Sequence, residues 1–485
     1  MTRDLLLPGA EERSALWSEV VAQAEAYFGD VESLPVAPAL SQAELIALLD
    51  TFSFDEPGPR IDVLHRFTEE LKKHQVHTPH PCYFGLFNPA PAFMGILGDC
   101  IAATLNPQLA AWSHSPLAVE TERRVVDAFA RKFGIPPADT DGCLTAGGAE
   151  ANLTGLLCAL SARWPDVLND GVQSIAAKPA FYASTESHHS FVKAARTAGL
   201  GRAALRTVPV TDKLQMDIDA LREMIERDKA DGIVPFMVIG TAGTTGAGVV
   251  DQLKELGDVA RSNQLWFHVD AAWGGAAALV PELSIILSGV DEADSITFDP
   301  HKWLSIPMGA GIFLTRHRDA LGRIFSVHTA YMPKEGERLT VVDPFVHSLQ
   351  WSRRFIGLKL FLTLATTGWA GYATVLRHQS EMGDYLRAQL KAKGWRIVNH
   401  TRLPVVCFTP SNEDWDMTTH QRAADAVVRS GHAWISTILL GGKTPALRAC
   451  ITNYRTTERH IETLLEVLAG VREQISLSSE TAPLK

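Results

Sequence analysis

The sequence predicts an α/β protein with a mostly parallel central sheet covered by helices, followed by a smaller α+β domain. Two observations support this fold class. From about residue 81 to 365, short apolar runs alternate with helical patterns, which is the order expected when helices join the strands of a parallel sheet. At 485 residues the chain also exceeds the size at which a single hydrophobic core stops growing, so more than one domain is expected.

Residues 1–80 are predicted to form a helical N-terminal arm. Ser41 followed by Glu44 is a capping box ahead of an apolar run, and several prolines interrupt the segment. The arm contains too little apolar material for a core of its own. We therefore expect it to pack on another part of the assembly, with the partner subunit as the expected surface.

The predicted large domain spans residues 81–365. Four apolar runs in it predict strands that are hydrophobic on both faces, as in a buried parallel sheet. These runs are residues 234–240, 265–270, 295–299 and 309–315.

A small α+β domain is predicted over residues 366–475. A long helix begins after Arg353, and strand candidates follow at residues 395–400, 403–410 and 446–454. The polar residues 476–485 are predicted to be a disordered tail.

Composition excludes several classes of function. The formal charge of −10, without a block of basic residues, argues against nucleic-acid partners. No apolar stretch is long enough for a membrane span or a secretory signal, and the six cysteines lack C-x-x-C spacing, so a cytoplasmic protein with buried thiols is expected. His74, His77 and His80 recur at regular spacing, but Pro79 breaks the helix that a metal face would need, so no metal site is predicted.

The first candidate site is the glycine turn TAGGAEANL at residues 145–153. Gly147 and Gly148 precede a helical pattern, and the free N–H groups at a helix start form an anion site. A phosphate would then lie against Gly148 and Ala149. The alternative is an ordinary glycine-containing loop before a helix.

The second candidate is Asp270, at the end of an apolar strand in HVDAAWGG. Ligands of open α/β sheets lie beyond the carboxyl ends of the strands, and a carboxylate buried there needs a cation. A protonated pyridine nitrogen is a suitable cation, and the small Ala272 leaves room for a flat ring. The alternative is an aspartate that caps the next helix.

The third candidate is Lys302 in DPHKW, which follows another buried strand. Desolvation at such a position favours the neutral amine that imine formation requires. A lysine after a strand is by itself more often a surface residue. Together, however, the three sites supply in chain order a phosphate anchor, a ring-nitrogen partner and an aldehyde partner.

These motifs resemble the group II pyridoxal-phosphate-dependent amino-acid decarboxylases, the family of the aromatic L-amino acid, glutamate, histidine and 2,4-diaminobutyrate decarboxylases. The resemblance extends from His80-Pro81 to residues 447–461. It implies PLP fold type I, the aspartate-aminotransferase architecture, and pyridoxal 5'-phosphate (PLP) as cofactor. It also implies an obligate homodimer with interfacial active sites and a small amino-acid substrate.

The resemblance assigns further cofactor contacts. His188, in the SxxxHxS segment, is expected to stack on the cofactor ring opposite Ala272, with neighbouring His189 as the alternative. Thr245 matches a threonine near the ring substituents, and His301 is expected to touch the phosphate.

Three more positions follow from the resemblance. Asp299 stands where many members have asparagine and is expected to contact either the cofactor or a helix. Tyr83 and Phe84 match an aromatic pair that lines the substrate pocket, which favours an aromatic or bulky substrate side chain.

The chain departs from the family pattern on the loop that usually carries a proton-donating tyrosine. Counting back from SRRF places Pro344 there or, with a shift of one residue, Phe345, which would line the substrate pocket. Some members with phenylalanine at this position are aldehyde synthases. Tyr331, His347 or water are the alternative proton donors.

The expected activity is decarboxylation of an L-amino acid through an aldimine and a quinonoid, giving an amine and carbon dioxide. The alternatives are oxygen-dependent decarboxylation and deamination to an aldehyde, a PLP-binding protein without turnover, and a transaminase. The HK-type site resembles decarboxylases more closely than transaminases.

Overall fold

The structure is a computed structural model that describes residues 5–39, 41–327 and 341–480. Within these residues a seven-stranded sheet forms the centre of the large domain, in the order β1-β7-β6-β5-β4-β2-β3. Only β7 runs against the others, because both of its pairings, with β1 and with β6, are antiparallel. The strands are β1 Asp141–Thr145, β2 Pro179–Ser184, β3 Leu205–Val208, β4 Val234–Thr241, β5 Trp266–Asp270, β6 Ser295–Phe298 and β7 Gly311–Thr315.

The prediction of a mostly parallel central sheet is confirmed. The four apolar runs predicted as strands are β4, β5, β6 and β7, and every residue of β5, β6 and β7 is buried. Strands β1, β2 and β3 were not predicted, because each is short and contains polar residues or a proline.

Helices cover both faces of this sheet and form the arm before it. Their bounds, which also include those of the C-terminal region, are α1 Ala10–Asp30, α2 Gln42–Leu49, α3 Arg60–Lys73, α4 Phe93–Leu105, α5 Pro116–Lys132, α6 Gly148–Arg163, α7 Val167–Asp170, α8 Ser190–Thr197, α9 Ile218–Ala230, α10 Leu253–Asn263, α11 Pro281–Ser284, α12 Ala320–Phe325, α13 Gly357–Ala392, α14 Met417–Arg429 and α15 Glu458–Glu480. In the described part of the chain, no helix is long and apolar enough to cross a membrane.

A second, antiparallel sheet lies in the C-terminal region, in the order β10-β11-β9-β8. Three of its strands confirm predicted ones, whereas β10 was not predicted because only one of its five residues is buried. Helix α13 runs through residue 365, where the boundary between the domains is predicted, and contains a non-helical residue, Gly368. The strands are β8 Trp395–Ile397, β9 Val405–Pro410, β10 Ser436–Leu440 and β11 Thr444–Cys450.

The N-terminal arm is helical, and Ser41 caps α2 by accepting a hydrogen bond from the backbone N–H of Glu44 at 3.4 Å. Large apolar side chains on the arm are exposed, including Trp17, Phe54 and Phe67. Packing of the arm on a partner subunit stays a prediction, and the exposure of these apolar side chains supports it.

The predicted disordered tail is wrong for residues 476–480, because α15 continues to Glu480. The hydroxyl of Ser476 donates to the carbonyl of Arg472 at 3.0 Å, so a polar side chain is accommodated within the helix. A helix that is already nucleated needs little further stabilisation to extend by a turn. Residues 481–485 lie outside the described part.

Candidate active site

The carboxyl ends of β4, β5 and β6 and the start of helix α6 surround a cavity of about 490 Å³. This is the edge of the sheet where ligands of open α/β proteins bind. Eight of the predicted site residues line the cavity together, although they come from five separate segments of the chain. They are Gly148, Ala149, His188, Thr245, Asp270, Ala272, His301 and Lys302.

Lys302 lies on a tight turn that follows β6. Its backbone N–H donates to the carbonyl of Asp299 at 3.0 Å, and its Nζ lies 3.0 Å from Asp299 Oδ2. The turn ends at Ser305, whose φ of 58° places a residue other than glycine in the left-handed region. The ion pair and the turn fix the position of the lysine amine at the cavity wall.

Asp270 is buried at the end of β5 and is held by two hydrogen bonds. Its Oδ2 accepts from Asn152 Nδ2 at 2.9 Å, and its Oδ1 accepts from the backbone N–H of Ala272 at 3.1 Å. These two donors fix the position of the carboxylate at the cavity wall, where a cation that enters the cavity would meet it.

Behind Asp270 lies a buried polar network that sequence reasoning missed. Asn152 Nδ2 also donates to Ser190 Oγ at 3.0 Å, and its Oδ1 lies 3.0 Å from His268 Nε2. Ser295 Oγ, which already accepts from Trp266 Nε1, lies 2.8 Å from His268 Nδ1. Asn152 Oδ1 can only accept, so His268 carries its proton on Nε2 and donates it to Asn152. In a neutral imidazole Nδ1 is then the acceptor, and the serine hydroxyl donates to it.

His268 is neutral in this network, because complete burial lowers its pKa to about 4. A signal for this residue was present in the sequence: a histidine two positions before Asp270 lies on the same face of the strand, and a buried polar side chain requires a partner. No comparable signal marked Asn152, whose partners come from distant parts of the chain.

His188 faces the cavity after β2, and its Nδ1 accepts from the backbone N–H of Ser190 at 3.2 Å. Partial burial lowers the pKa of His188, while the negative charge of Asp270 opposes that shift. His189 does not line the cavity, so the geometry favours His188 as the imidazole that would stack on the cofactor ring.

The glycine turn forms the opposite wall and begins helix α6. The Glu150 carboxylate accepts from the backbone N–H of Ala146 at 2.9 Å, which ties the turn to the first helical turn. A Cβ on Gly147 would lie 3.2 Å from the His301 ring, and one on Gly148 would lie 2.7 Å from Asp299 Oδ2. The two glycines therefore let the backbone of the turn lie close to the side chains of His301 and Asp299, which a residue with a Cβ atom would prevent.

His301 completes this wall. Its Nδ1 lies 2.7 Å from the carbonyl oxygen and 3.2 Å from the backbone nitrogen of Ala310, which fixes the orientation of the ring and directs Nε2 away from Ala310. Burial lowers the pKa of His301, and the neighbouring Asp299 partly opposes the shift.

Three predicted substrate-pocket residues are not among those that line this cavity. Tyr83 packs against Trp434 with ring centroids 5.3 Å apart, and Phe84 is completely buried in the core beside the small sheet. Phe345 is also buried, and its backbone N–H donates to the carbonyl of Ala110 at 3.0 Å. Their contact with substrate stays a prediction for the assembled protein.

Of the side chains considered as alternative proton donors, only His347 lies among the described residues, and it does not line the cavity. His347 Nε2 is bonded to Asp141 Oδ1, and neither residue lines the cavity. Pro344 is buried on the same loop. Tyr331 lies outside the described residues.

The sequence as a whole matches a known protein family. The family model for the pyridoxal-dependent decarboxylase conserved domain matches residues 43–410, which is most of the chain. The chain belongs to the pyridoxal-dependent decarboxylase family. Like its relatives in this family, it is a PLP-dependent carboxy-lyase of amino acids. The predictions of family, enzyme class and cofactor are therefore confirmed.

Relatives within the pyridoxal-dependent decarboxylase family cover nearly the whole chain. The aromatic-L-amino-acid decarboxylase of Bacillus atrophaeus is 29% identical over 491 residues and covers 99% of each chain. A crystal structure of Oryza sativa TDC with PLP and tryptamine has a TM-score of 0.90 at 25% identity, covering 97% of this chain and 99% of that chain. A crystal structure of Rhodiola rosea 4-hydroxyphenylacetaldehyde synthase has a TM-score of 0.87 at 28% identity, covering 96% and 99%.

The cavity fits the cofactor of the pyridoxal-dependent decarboxylase family. A flat ring with a basic nitrogen would meet a buried carboxylate at Asp270, an anion would meet the glycine turn, and an aldehyde would meet the amine of Lys302. The buried Asp299 Oδ1, which has no hydrogen-bond partner among the described residues, also faces this region. The donors and acceptors thus match the three functional groups of PLP.

Proposed function

We propose that this protein decarboxylates an L-amino acid with an aromatic or bulky side chain, giving the corresponding amine and carbon dioxide. The observation that carries the proposal is the convergence of Lys302, Asp270, His188 and the glycine turn on one cavity. A transaminase fits less well, because the family that matches the chain is named for decarboxylation.

The residues would hold PLP as follows. Gly148, Ala149 and His301 would bind the phosphate at the start of α6, where N–H groups favour an anion. Lys302 Nζ would bind the aldehyde, and Thr245 would contact a ring substituent. When bound, the cofactor supplies an electron sink for the electron pair that a departing carboxylate leaves behind.

The protein's own residues orient and charge this site. Asp270 would hold a proton on the ring nitrogen through its negative charge, and Asn152 keeps the carboxylate in position. His188 and Ala272 would confine the two faces of the ring. His188, as a neutral imidazole, can also accept or donate a proton beside the reacting carbon.

An aromatic or bulky substrate is favoured by two considerations. Trp273 lines the cavity, and its buried indole stacks on Phe87 with ring centroids 4.4 Å apart, so aromatic packing lies directly behind this wall. Several relatives are named for aromatic substrates, among them a tyrosine decarboxylase and a tryptophan decarboxylase. We propose that Tyr83 and Phe84 are further aromatic contacts of the substrate, as the family resemblance implies.

We also propose a homodimer with interfacial active sites, and a division into an arm over residues 1–80, a large domain over residues 81–365 and a small domain that begins at residue 366. Exposed apolar side chains on α1 to α4 support the dimer, because soluble monomers rarely expose contiguous apolar surface. They include Trp17, Val21, Phe67, Phe93 and Leu105.

The proposal is tested by spectroscopy and product analysis on the holoenzyme. The Lys302→Ala variant should lose the long-wavelength visible band that a lysine-bound cofactor shows and the free aldehyde lacks. Lys213→Ala, which removes an exposed lysine, should retain it. If the Lys302→Ala variant keeps the band, the assignment of the cofactor lysine is wrong. Incubation with the common amino acids should yield amine and carbon dioxide, most rapidly from an aromatic one.

A second candidate is oxygen-dependent conversion of the amino acid to an aldehyde. It is favoured by Pro344 and Phe345, which supply no proton at the position of the usual loop tyrosine. The 4-hydroxyphenylacetaldehyde synthase of Rhodiola rosea, a relative at 28% identity, is named for an aldehyde product. Measuring hydrogen peroxide and ammonia with carbon dioxide separates the two, because amine without peroxide excludes aldehyde synthesis.

A further inference from the structure

Glu150 is an acidic residue in the first turn of α6, at the wall of the cavity. It is half-buried, and its Oε2 accepts from the backbone N–H of Ala146 at 2.9 Å. The N–H groups at a helix start stabilise any nearby anion, whether it is a carboxylate of the protein or a bound phosphate. The Glu150 carboxylate can therefore compete with a phosphate for the N–H groups of Gly148 and Ala149.

Gln350 holds this carboxylate away from the helix start. Its Nε2 lies 2.9 Å from each of the two Glu150 carboxylate oxygens and donates to them. An amide nitrogen has two hydrogens, so both contacts can form together. With the bond to Ala146, they fix the carboxylate beside a residue that precedes the helix, and the N–H groups of Gly148 and Ala149 stay available to a ligand.

The segment that carries Gln350 is itself anchored, which gives the amide a fixed position. Arg353, farther along the same segment, is buried and forms an ion pair with Glu122 at 2.6 Å. Its Nη1 also donates to the carbonyl of Leu144 at 3.1 Å, and Leu144 is the residue of β1 before the glycine turn begins. Two side chains of one segment therefore hold the turn from both ends, Arg353 at its start and Gln350 at the helix that follows it.

We propose that Gln350 is a positioning residue for the cofactor phosphate, because it restrains the Glu150 carboxylate and keeps it from competing for the N–H groups at the start of α6. The inference rests on the proposed function in one respect, which is that residues 147–149 hold the phosphate. Gln350 acts through Glu150 and needs no contact with the cofactor. Its removal should therefore weaken the binding of a phosphorylated ligand only while residue 150 carries a charge.

The first measurement compares PLP with pyridoxal, which lacks the phosphate, by fluorescence titration of the full-length apoenzyme. The ratio of the pyridoxal dissociation constant to the PLP dissociation constant reports the contribution of the phosphate, because a general loosening of the site weakens both ligands together. In Gln350→Ala this ratio should fall about tenfold, the effect of losing a hydrogen bond to a charged group. Gln173→Ala, which removes an exposed amide, should leave the ratio unchanged.

The second measurement determines whether Gln350 acts through Glu150. Glu150→Gln keeps an acceptor for the Ala146 N–H group but removes the charge, so in this background Gln350→Ala should change the ratio less than about twofold. Gln350→Glu alone brings two carboxylates together and should lower the ratio further than Gln350→Ala does. Adding Glu150→Gln to Gln350→Glu exchanges the two side chains, restores an amide beside a carboxylate, and should recover most of the ratio. The exchanged pair tests the inference even if Gln350→Ala does not fold.

The inference is overturned if Gln350→Ala has the wild-type ratio, if its loss is as large in the Glu150→Gln background, or if the exchanged pair recovers nothing. Gln350 would then contribute packing at most. A failure of the proposed function has a different signature, because the wild type itself would then bind PLP no more tightly than pyridoxal. A wild type that strongly prefers PLP, with the same preference in Gln350→Ala, refutes only the role of Gln350.

Discussion

Removing the amide of Asn152 should weaken cofactor binding by releasing Asp270, the proposed partner of the ring nitrogen. Asn152 joins Asp270, Ser190 and His268 through contacts of 2.9, 3.0 and 3.0 Å, and all of these atoms are buried. In Asn152→Ala the Asp270 carboxylate loses one of its two hydrogen-bond donors. Asp270 would then be free to rotate away from the ring nitrogen.

The magnitude follows from the types of bond lost. A hydrogen bond to a charged group contributes about 1.5–3 kcal/mol, so PLP should dissociate from Asn152→Ala about ten- to a hundredfold more readily. The two neutral contacts add roughly 1 kcal/mol each, so the free energy of unfolding should fall by about 3–5 kcal/mol in total.

The assay combines fluorescence titration of the apoenzyme with PLP and urea unfolding of the same protein. Asn169→Ala, which removes an exposed amide, is the matched control and should change neither quantity by more than experimental error. A variant that is destabilised as expected but binds PLP with wild-type affinity would refute the argument that Asn152 positions Asp270.

Three further predictions concern buried groups. Burial lowers the pKa of His268 to about 4, so below about pH 6.5 the unfolded state binds more protons than the folded state, and the free energy of unfolding falls as pH decreases towards 4. Between about pH 7.5 and pH 5, the free energy of unfolding measured in urea should fall by about 2 kcal/mol less in His268→Gln than in the wild type. Arg353 forms a buried ion pair with Glu122 at 2.6 Å, so Arg353→Met should lower the melting temperature through a loss of about 3–5 kcal/mol, and adding Glu122→Gln should restore much of it. Gly148→Ala places a Cβ 2.7 Å from a carboxylate oxygen and should reduce PLP affinity at least about tenfold by titration, whereas Gly322→Ala, with open space around it, should be neutral.

Local sequence was sufficient for the elements that are hydrophobic on both faces. The central strands β4 to β7 were predicted because a strand that is buried on both faces must be apolar throughout, which makes it recognisable without knowledge of its neighbours. Strand β10 was missed because its burial is partial and depends on the hairpin it forms with β11.

The end of the chain shows the opposite limit. Residues 476–480 were predicted to be disordered from their polarity, yet they extend a helix that is already packed through its earlier turns. Composition describes a segment by itself, whereas a helix that is already formed lowers the free energy needed to add the next turn.

The sequence by itself predicted the cofactor chemistry of this protein, because Asp270, Lys302 and the glycine turn are expected at one edge of a parallel sheet and their motifs resemble those of a PLP-dependent family. Tertiary structure decided what surrounds those groups. The support of Asp270 by Asn152 and His268, and the enclosure of Asp299 against Gly148, join segments more than a hundred residues apart. Such contacts leave no local pattern, because hydrogen bonds and electrostatic repulsion depend on distances in space that only folding sets. Lys302 was therefore predictable, whereas the charge balance around it was not.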